Sequence, residues 1–223
     1  MKIKVSIDSI FQVLLYFIFG IILFTKIYIS FSYSSDLAGI EEATYYNMHK
    51  LFVYGKLYYT SPDAFPYTIT PHTPFYYYFI TSVAKLFFNG AHEEMYLNYV
   101  FGRLVSLFFV CCALFFVFKT LRKLNVSNVL AFVLVLFVFL TLDNHVFSMR
   151  PDGLKLFISC LYFYFVVQYI LSPNQKLLIL LASIVSIGFF VKQDEILISV
   201  VVSIILLYNK KYKELIVYNV FIG

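Results

Sequence analysis

Three carboxylates, Asp36, Glu41 and Glu42, crowd into one short polar stretch, and His49 and His72 follow within the same segment, which runs from Asp36 to Tyr78. A carboxylate placed beside a hydroxyl or amine takes up its proton as that group attacks, which is general-base chemistry. The same acids also have a structural use, since Glu41 and Glu42 open a segment of helical composition and negative charge complements a helix N-terminus. A second polar island is S-M-R-P-D-G-L, Ser148 to Leu154. Arg150 there presents a planar fork that binds a phosphate bidentately; the bland alternative is a local Arg150–Asp152 pair in an interfacial turn. The third is F-V-K-Q-D-E-I-L, Phe190 to Leu197, where Lys192 beside Arg150 completes a phosphate site or merely marks a charged hairpin tip. Arg103 belongs to the same pocket or snorkels to an interface.

The rest of the chain has to position these groups, and it is almost entirely apolar. Of its 223 residues 61% are hydrophobic and 13% charged, with a mean hydropathy of +0.84. A soluble core of this size cannot hide so many apolar side chains, whereas a bilayer solvates them on every face. The net charge of +5 sits in short clusters between apolar runs and reads as a topology signal rather than a nucleic-acid surface. Cys111, Cys112 and Cys160 lie within apolar runs, where they pack as small hydrophobes. No P-loop, G-x-G-x-x-G, CxxC, HExxH or G-x-S-x-G pattern is present, so soluble-nucleotide chemistry finds no support.

The expected fold is an all-α polytopic membrane protein with about six transmembrane helices and the start of a seventh. Ile10 to Ile29 is long enough to cross the roughly 30 Å hydrocarbon layer, and Lys2 and Lys4 place its N-terminus in the cytoplasm. Pro74 to Phe88 is short and tyrosine-rich, which suits an interfacial helix. With that helix not crossing, the spans are Tyr99–Phe118, Val129–Phe147, Leu154–Leu171, Leu177–Val191 and Ile196–Tyr208. Lys119, Arg122, Lys123, Lys176, Lys210, Lys211 and Lys213 then all fall on the cytoplasmic side. Residues 30–98 form an extracytoplasmic loop with interfacial helices, Glu41 to Val53 the first of them and Gly55 its cap. His72, His92, Asp143, His145, Asp152, Gln193, Asp194 and Glu195 share that face. The apolar run after Glu214 reads as a seventh span cut short, so residues 1–223 are expected to be one transmembrane domain at the N-terminal part of a longer protein.

Imidazole and carboxylate together suit zinc or manganese, but no two histidines stand at a recognisable ligand spacing. No metal ligand set is assigned, and a divalent metal is the one cofactor these residue types admit.

The order I-E-E-A-T-Y-Y (Ile40 to Tyr46), G-K-L-Y (Gly55 to Tyr58), P-H-T-P-F-Y-Y-Y (Pro71 to Tyr78) and F-G-R-L (Phe101 to Leu104) resembles the N-terminal third of the GT-C glycosyltransferases, in their protein-mannosyltransferase and aminoarabinose-transferase-like branch. That family carries an Asp-Glu pair early in the first external loop; here Glu41 and Glu42 take its place, with Asp36 a rival for the base. Pro71 and Pro74 are spaced where the family has them adjacent, and Tyr77 or Tyr78 stands where Trp is common. The resemblance implies a multi-pass enzyme of a bacterial plasma membrane that moves a sugar from a polyprenyl-phosphate donor to a glycan, lipid or protein acceptor on the extracytoplasmic face, inverting the anomeric centre. Arg150 and Lys192, with Arg103, then hold the donor phosphate, and Asp152, Gln193, His72 and Tyr77 line the substrate. Two other readings are a transporter or lipid flippase subunit, against which stand spans almost free of central charges, and a non-catalytic truncated homologue.

Overall fold

The computed structural model of the chain describes residues 7–37, 39, 41–55, 73–87 and 95–222. Among them every regular element is a helix. In chain order these are α1 (Ile7–Ser32), α2 (Glu41–Tyr54), α3 (Pro74–Phe87), α4 (Met95–Lys123), α5 (Asn128–Thr141), α6 (Asn144–Phe147), α7 (Asp152–Leu171), α8 (Gln175–Val191), a 3-10 segment (Gln193–Ile198), α9 (Ser199–Tyr208) and α10 (Tyr212–Ile222).

Local chemistry accounts for most of the boundaries. Gly55 follows α2 with φ +69°, a left-handed conformation that costs glycine nothing and ends the helix. Pro74 opens α3, where its missing N–H is no loss. Between α4 and α5 the chain turns through Asn125 at φ +62°, and the Ser127 side chain accepts the Leu130 N–H to start α5.

Among the described residues three helices are long and apolar enough to cross a membrane: Phe11–Ser32, Asn98–Lys123 and Asp152–Leu171. The protein is therefore an integral membrane protein whose described regular elements are all helices. Asn128–Thr141 and Gln175–Val191 are apolar but shorter; α5, at 14 residues, covers only about 21 Å at 1.5 Å per residue. The single run expected over Val129–Phe147 is in fact broken. Leu142 ends α5 in an extended conformation, and the Asp143 carboxylate accepts the Asn144 N–H to start the short α6. An N-cap inside a run terminates one helix by offering its backbone a better partner. Likewise, the residues that open the expected Ile196–Tyr208 span belong to the 3-10 segment, and α9 begins only at Ser199.

Two apolar clusters hold the bundle. One joins α2, α3, α4 and α7–α10 and includes the Tyr162–Tyr218 hydroxyl pair at 2.8 Å; the other joins α1, α4, α5 and α6 around Phe139 and Phe147. The most extensive packing is α4 on α7. Glycine makes that approach close at the start of α7. A Cβ at Gly153 would stand 2.9 Å from the Val146 carbonyl oxygen and 3.0 Å from that of Ser106, tighter than side chains tolerate.

Candidate active site

The polar islands of the sequence converge at one end of this bundle, where α2, the α6–α7 turn and the α8–α9 junction meet. Glu41, first residue of α2, points inward and is completely buried. Arg103 on α4 meets it, also fully buried: Nε donates to Glu41 Oε1 at 3.0 Å and one terminal nitrogen to Oε2 at 2.6 Å. The remaining guanidinium protons go to the carbonyls of Ser30 at 3.4 Å, Tyr33 at 2.5 Å and Ser35 at 2.6 Å. All five N–H groups of Arg103 are thus engaged, with the Tyr33 and Tyr99 rings flanking the cation. Glu41 is equally saturated, since Oε2 also accepts the Leu37 N–H and Oε1 the Met149 N–H, both at 2.7 Å. This pair ties the exit of α1 to α2, α4 and the α6–α7 turn.

Arg103 is therefore not free to join Arg150 and Lys192 as a phosphate ligand, contrary to expectation. Its donors are spent on Glu41 and three carbonyls, and none faces outward. Of the other two acids, Glu42 is exposed, one residue and therefore about 100° further round α2. The Glu42 N–H donates to Asp36 Oδ2 at 3.2 Å, so Asp36 folds back over the start of the same helix.

The turn that follows Phe147 is held from below. Ser106 Oγ donates to the Ser148 carbonyl at 2.7 Å, and the Met149 side chain is buried against Gly102. Arg150 emerges from this anchored turn with one terminal nitrogen 2.9 Å from His145 Nδ1 and its Nε 3.0 Å from Asp152 Oδ2. The second contact is close but misaligned: Arg150 Nε and Asp152 Oδ2 are both buried and neither forms a hydrogen bond. Lys192, the C-cap of α8, reaches Asp152 Oδ1 at 2.8 Å. Arg150 and Lys192, 42 positions apart in sequence, are therefore neighbours, with Asp152 between them.

Beside them lies a pair of acids that sequence reasoning placed on this face without a role. Lys155 on α7 binds Asp194 at 2.6 Å and stands 3.7 Å from Glu195. Glu195 is buried and accepts from Ser159 Oγ at 3.1 and 3.0 Å. Burial pushes the Glu195 carboxyl above its usual range despite those partners; burial also raises Asp194, but the hydrogen bond and charge of Lys155 and the charge of Lys192 together outweigh it and hold that carboxyl below. The alternation of Lys and acid at Lys192, Asp194 and Glu195 is the one signal in the sequence for this network.

The aromatic run of α3 roofs the site. Thr73 Oγ1 donates to the Phe190 carbonyl and fixes the start of α3 on α8. Tyr76 and Tyr77 are wholly buried, whereas Tyr78 and Phe75 face outward; Tyr77, expected to line a substrate entrance, packs in the core. The Tyr76 hydroxyl makes no aligned hydrogen bond, although Ser106 is near it and the charges of Asp152 and Glu41 both act on it; burial drives its pKa far above the ordinary tyrosine value. Gln193 is exposed at the α8–α9 junction. His72, His92 and Pro71 lie outside the described residues, and among those described no group of three or more His, Cys, Asp and Glu is arranged to hold a metal ion.

The sequence model of one protein family, described as dolichyl-phosphate-mannose-protein mannosyltransferase, matches residues 71–222. The matched segment contains Arg103, Arg150, Asp152 and Lys192; Asp36, Glu41 and Glu42 precede it. No curated protein and no solved structure matches. With more than half of its length in that match, and with apolar helices fit to cross a bilayer, the chain belongs to the dolichyl-phosphate-mannose-protein mannosyltransferase family, membrane glycosyltransferases of the GT-C type that act on a lipid-linked sugar donor.

Proposed function

We propose that the protein transfers a sugar from a polyprenyl-phosphate donor to an acceptor hydroxyl or amine on the extracytoplasmic face, by direct displacement with inversion. One observation carries this reading: Glu41 Oε1 holds the N–H of Met149, the residue immediately before Arg150, so the acids of the first loop and the cations of the later turns share one end of the bundle. Displacement at an anomeric carbon needs a base and a phosphate site held together around one substrate.

In this mechanism Arg150 and Lys192 neutralise the charge that grows on the phosphate as the sugar–oxygen bond breaks. Glu42, exposed and next to Asp36, takes the proton of the attacking acceptor. Glu41 and Arg103, whose hydrogen-bonding capacity is used up on each other and on the backbone, act as positioning residues that fix α2 against the Arg150 turn. The topology that goes with this has the N-terminus in a bacterial cytoplasm, residues 30–98 outside, about six spans with a seventh beginning, and residues 1–223 as one unit.

The test is sugar transfer in membranes from a lipid-linked donor, assayed for Glu42→Gln, Asp36→Asn and Arg150→Gln. A positioned base contributes on the order of 10²–10⁴-fold, so Glu42→Gln is expected to lose at least about a hundredfold in rate with an unchanged melting temperature. Full activity in both acid variants and in their double would remove the base from this loop.

A further inference from the structure

Two cations lying together at a membrane-protein surface repel one another unless an anion sits between them, and here that anion is a side chain. Asp152 gives one oxygen to Lys192 at 2.8 Å and sets the other 3.0 Å from Arg150 Nε without hydrogen-bond alignment. The Arg150 and Asp152 side chains are only 12% and 17% exposed, so this mismatch is not repaired by free rotation in water. Asp152 is the first residue of α7, whose N-terminus has no side-chain cap. A carboxylate there has a structural use of its own, complementing the helix dipole.

The charges do not balance, however. Among the described residues Asp152 is the carboxylate in contact with Arg150 and Lys192, one negative charge against two positive; Asp194, paired with Lys155, acts on Lys192 from further off. A phosphodiester donor carries one negative charge, and the monoester that leaves carries between about 1.5 and 2 at neutral pH. Two cations freed from a carboxylate match the leaving group far better than the same cations with the carboxylate in place. Tetrahedral phosphate oxygens also offer an acceptor direction to Arg150 Nε that Asp152 Oδ2, tied through its partner oxygen to Lys192, fails to provide.

We propose that Asp152 is an exchangeable counter-ion, a carboxylate that occupies the space between Arg150 and Lys192 and is displaced from both when the donor phosphate binds. The proposal rests on the reading of Arg150 and Lys192 as the phosphate site. Asp152 acts through these cations rather than on the sugar. It offsets part of the charge of the two cations between turnovers and speeds release of the charged polyprenyl phosphate by returning to its partners.

The experiment measures binding of farnesyl phosphate to the purified full chain in detergent, together with the donor KM and kcat for transfer. Removing a competing unit charge from the site is expected to tighten farnesyl phosphate about tenfold in Asp152→Asn, about 1.4 kcal/mol. Donor KM should fall with it, and kcat should fall as product release slows. Arg150→Gln and Lys192→Gln should each weaken binding. A purely structural Asp152 would lower stability and loosen binding together, and Asp152→Asn binding as weakly as wild type or weaker, while both cation variants also bind more weakly, overturns the counter-ion and leaves the phosphate site standing. If neither cation variant changes the affinity, the phosphate site itself is wrong. Should Asp152→Asn fail to fold, the double Asp152→Asn/Lys192→Gln compared with Lys192→Gln alone makes the same comparison without excess positive charge, and tighter binding by the double is the expected result.

Discussion

Replacing Arg103 by methionine keeps most of the side-chain volume and deletes the cation that five hydrogen bonds hold in place. Glu41 would remain fully buried with only the Leu37 and Met149 amides as partners, and the carbonyls of Ser30, Tyr33 and Ser35 would lose their donor. Breaking a buried ion pair from one side costs about 3–5 kcal/mol, because the partner charge is left uncompensated. For a chain of this length each kcal/mol moves the melting temperature by about 2–4 °C, so a drop of about 6–20 °C is expected in detergent. Glu41→Met should lose a similar amount, for the reciprocal reason. The double variant removes both charges, and since a buried pair exchanged for apolar groups is often neutral, it should recover a large part of either loss. The assay is thermal unfolding of the four proteins as a double-mutant cycle. Losses that simply add, or single variants that melt within about 2 °C of wild type, would refute a buried, mutually dependent pair.

Gly153→Ala puts a methyl group against two backbone carbonyls at 2.9 and 3.0 Å, and overpacking of this kind costs about 1–3 kcal/mol; a lower melting temperature with weaker farnesyl phosphate binding is expected, since the Arg150 turn must move with α7. Glu195 titrates above its ordinary 4.5 when folded, so its contribution is present below that value and is lost as pH rises through the folded pKa. Glu195→Gln should therefore gain in melting temperature relative to wild type as the pH is raised above that point, and a constant difference would refute the buried carboxyl. Asp194 has the opposite sign, being held below its ordinary 3.8; wild type should lose stability as the pH falls below that value, and Asp194→Asn should show a flatter acid limb in the same melting series. Tyr76→Phe deletes a buried hydroxyl without an aligned partner, so its melting temperature should change by no more than the equivalent of about 1 kcal/mol; a larger drop would mean that the hydroxyl is bonded after all.

Much of this architecture could be read directly along the chain, because its causes are local or are set by the bilayer. A long apolar run such as that of α1 must be helical in hydrocarbon, where every backbone group has to find its partner within the segment. Gly55 and Pro74 mark the end of α2 and the start of α3 through their own backbone preferences. The neighbourhood of Arg150 and Lys192 was also legible in outline, since positive clusters fix which turns share a face. What one dimension leaves open is orientation and partnership. Glu41 and Glu42 are adjacent and chemically alike, yet one is sealed against Arg103, 62 residues away, and the other faces out. Helical geometry separates them by about 100° but does not say which direction is inward. Only the packing of α2 on α4 decides that, just as only the tertiary structure brings Asp152 between two cations drawn from different turns.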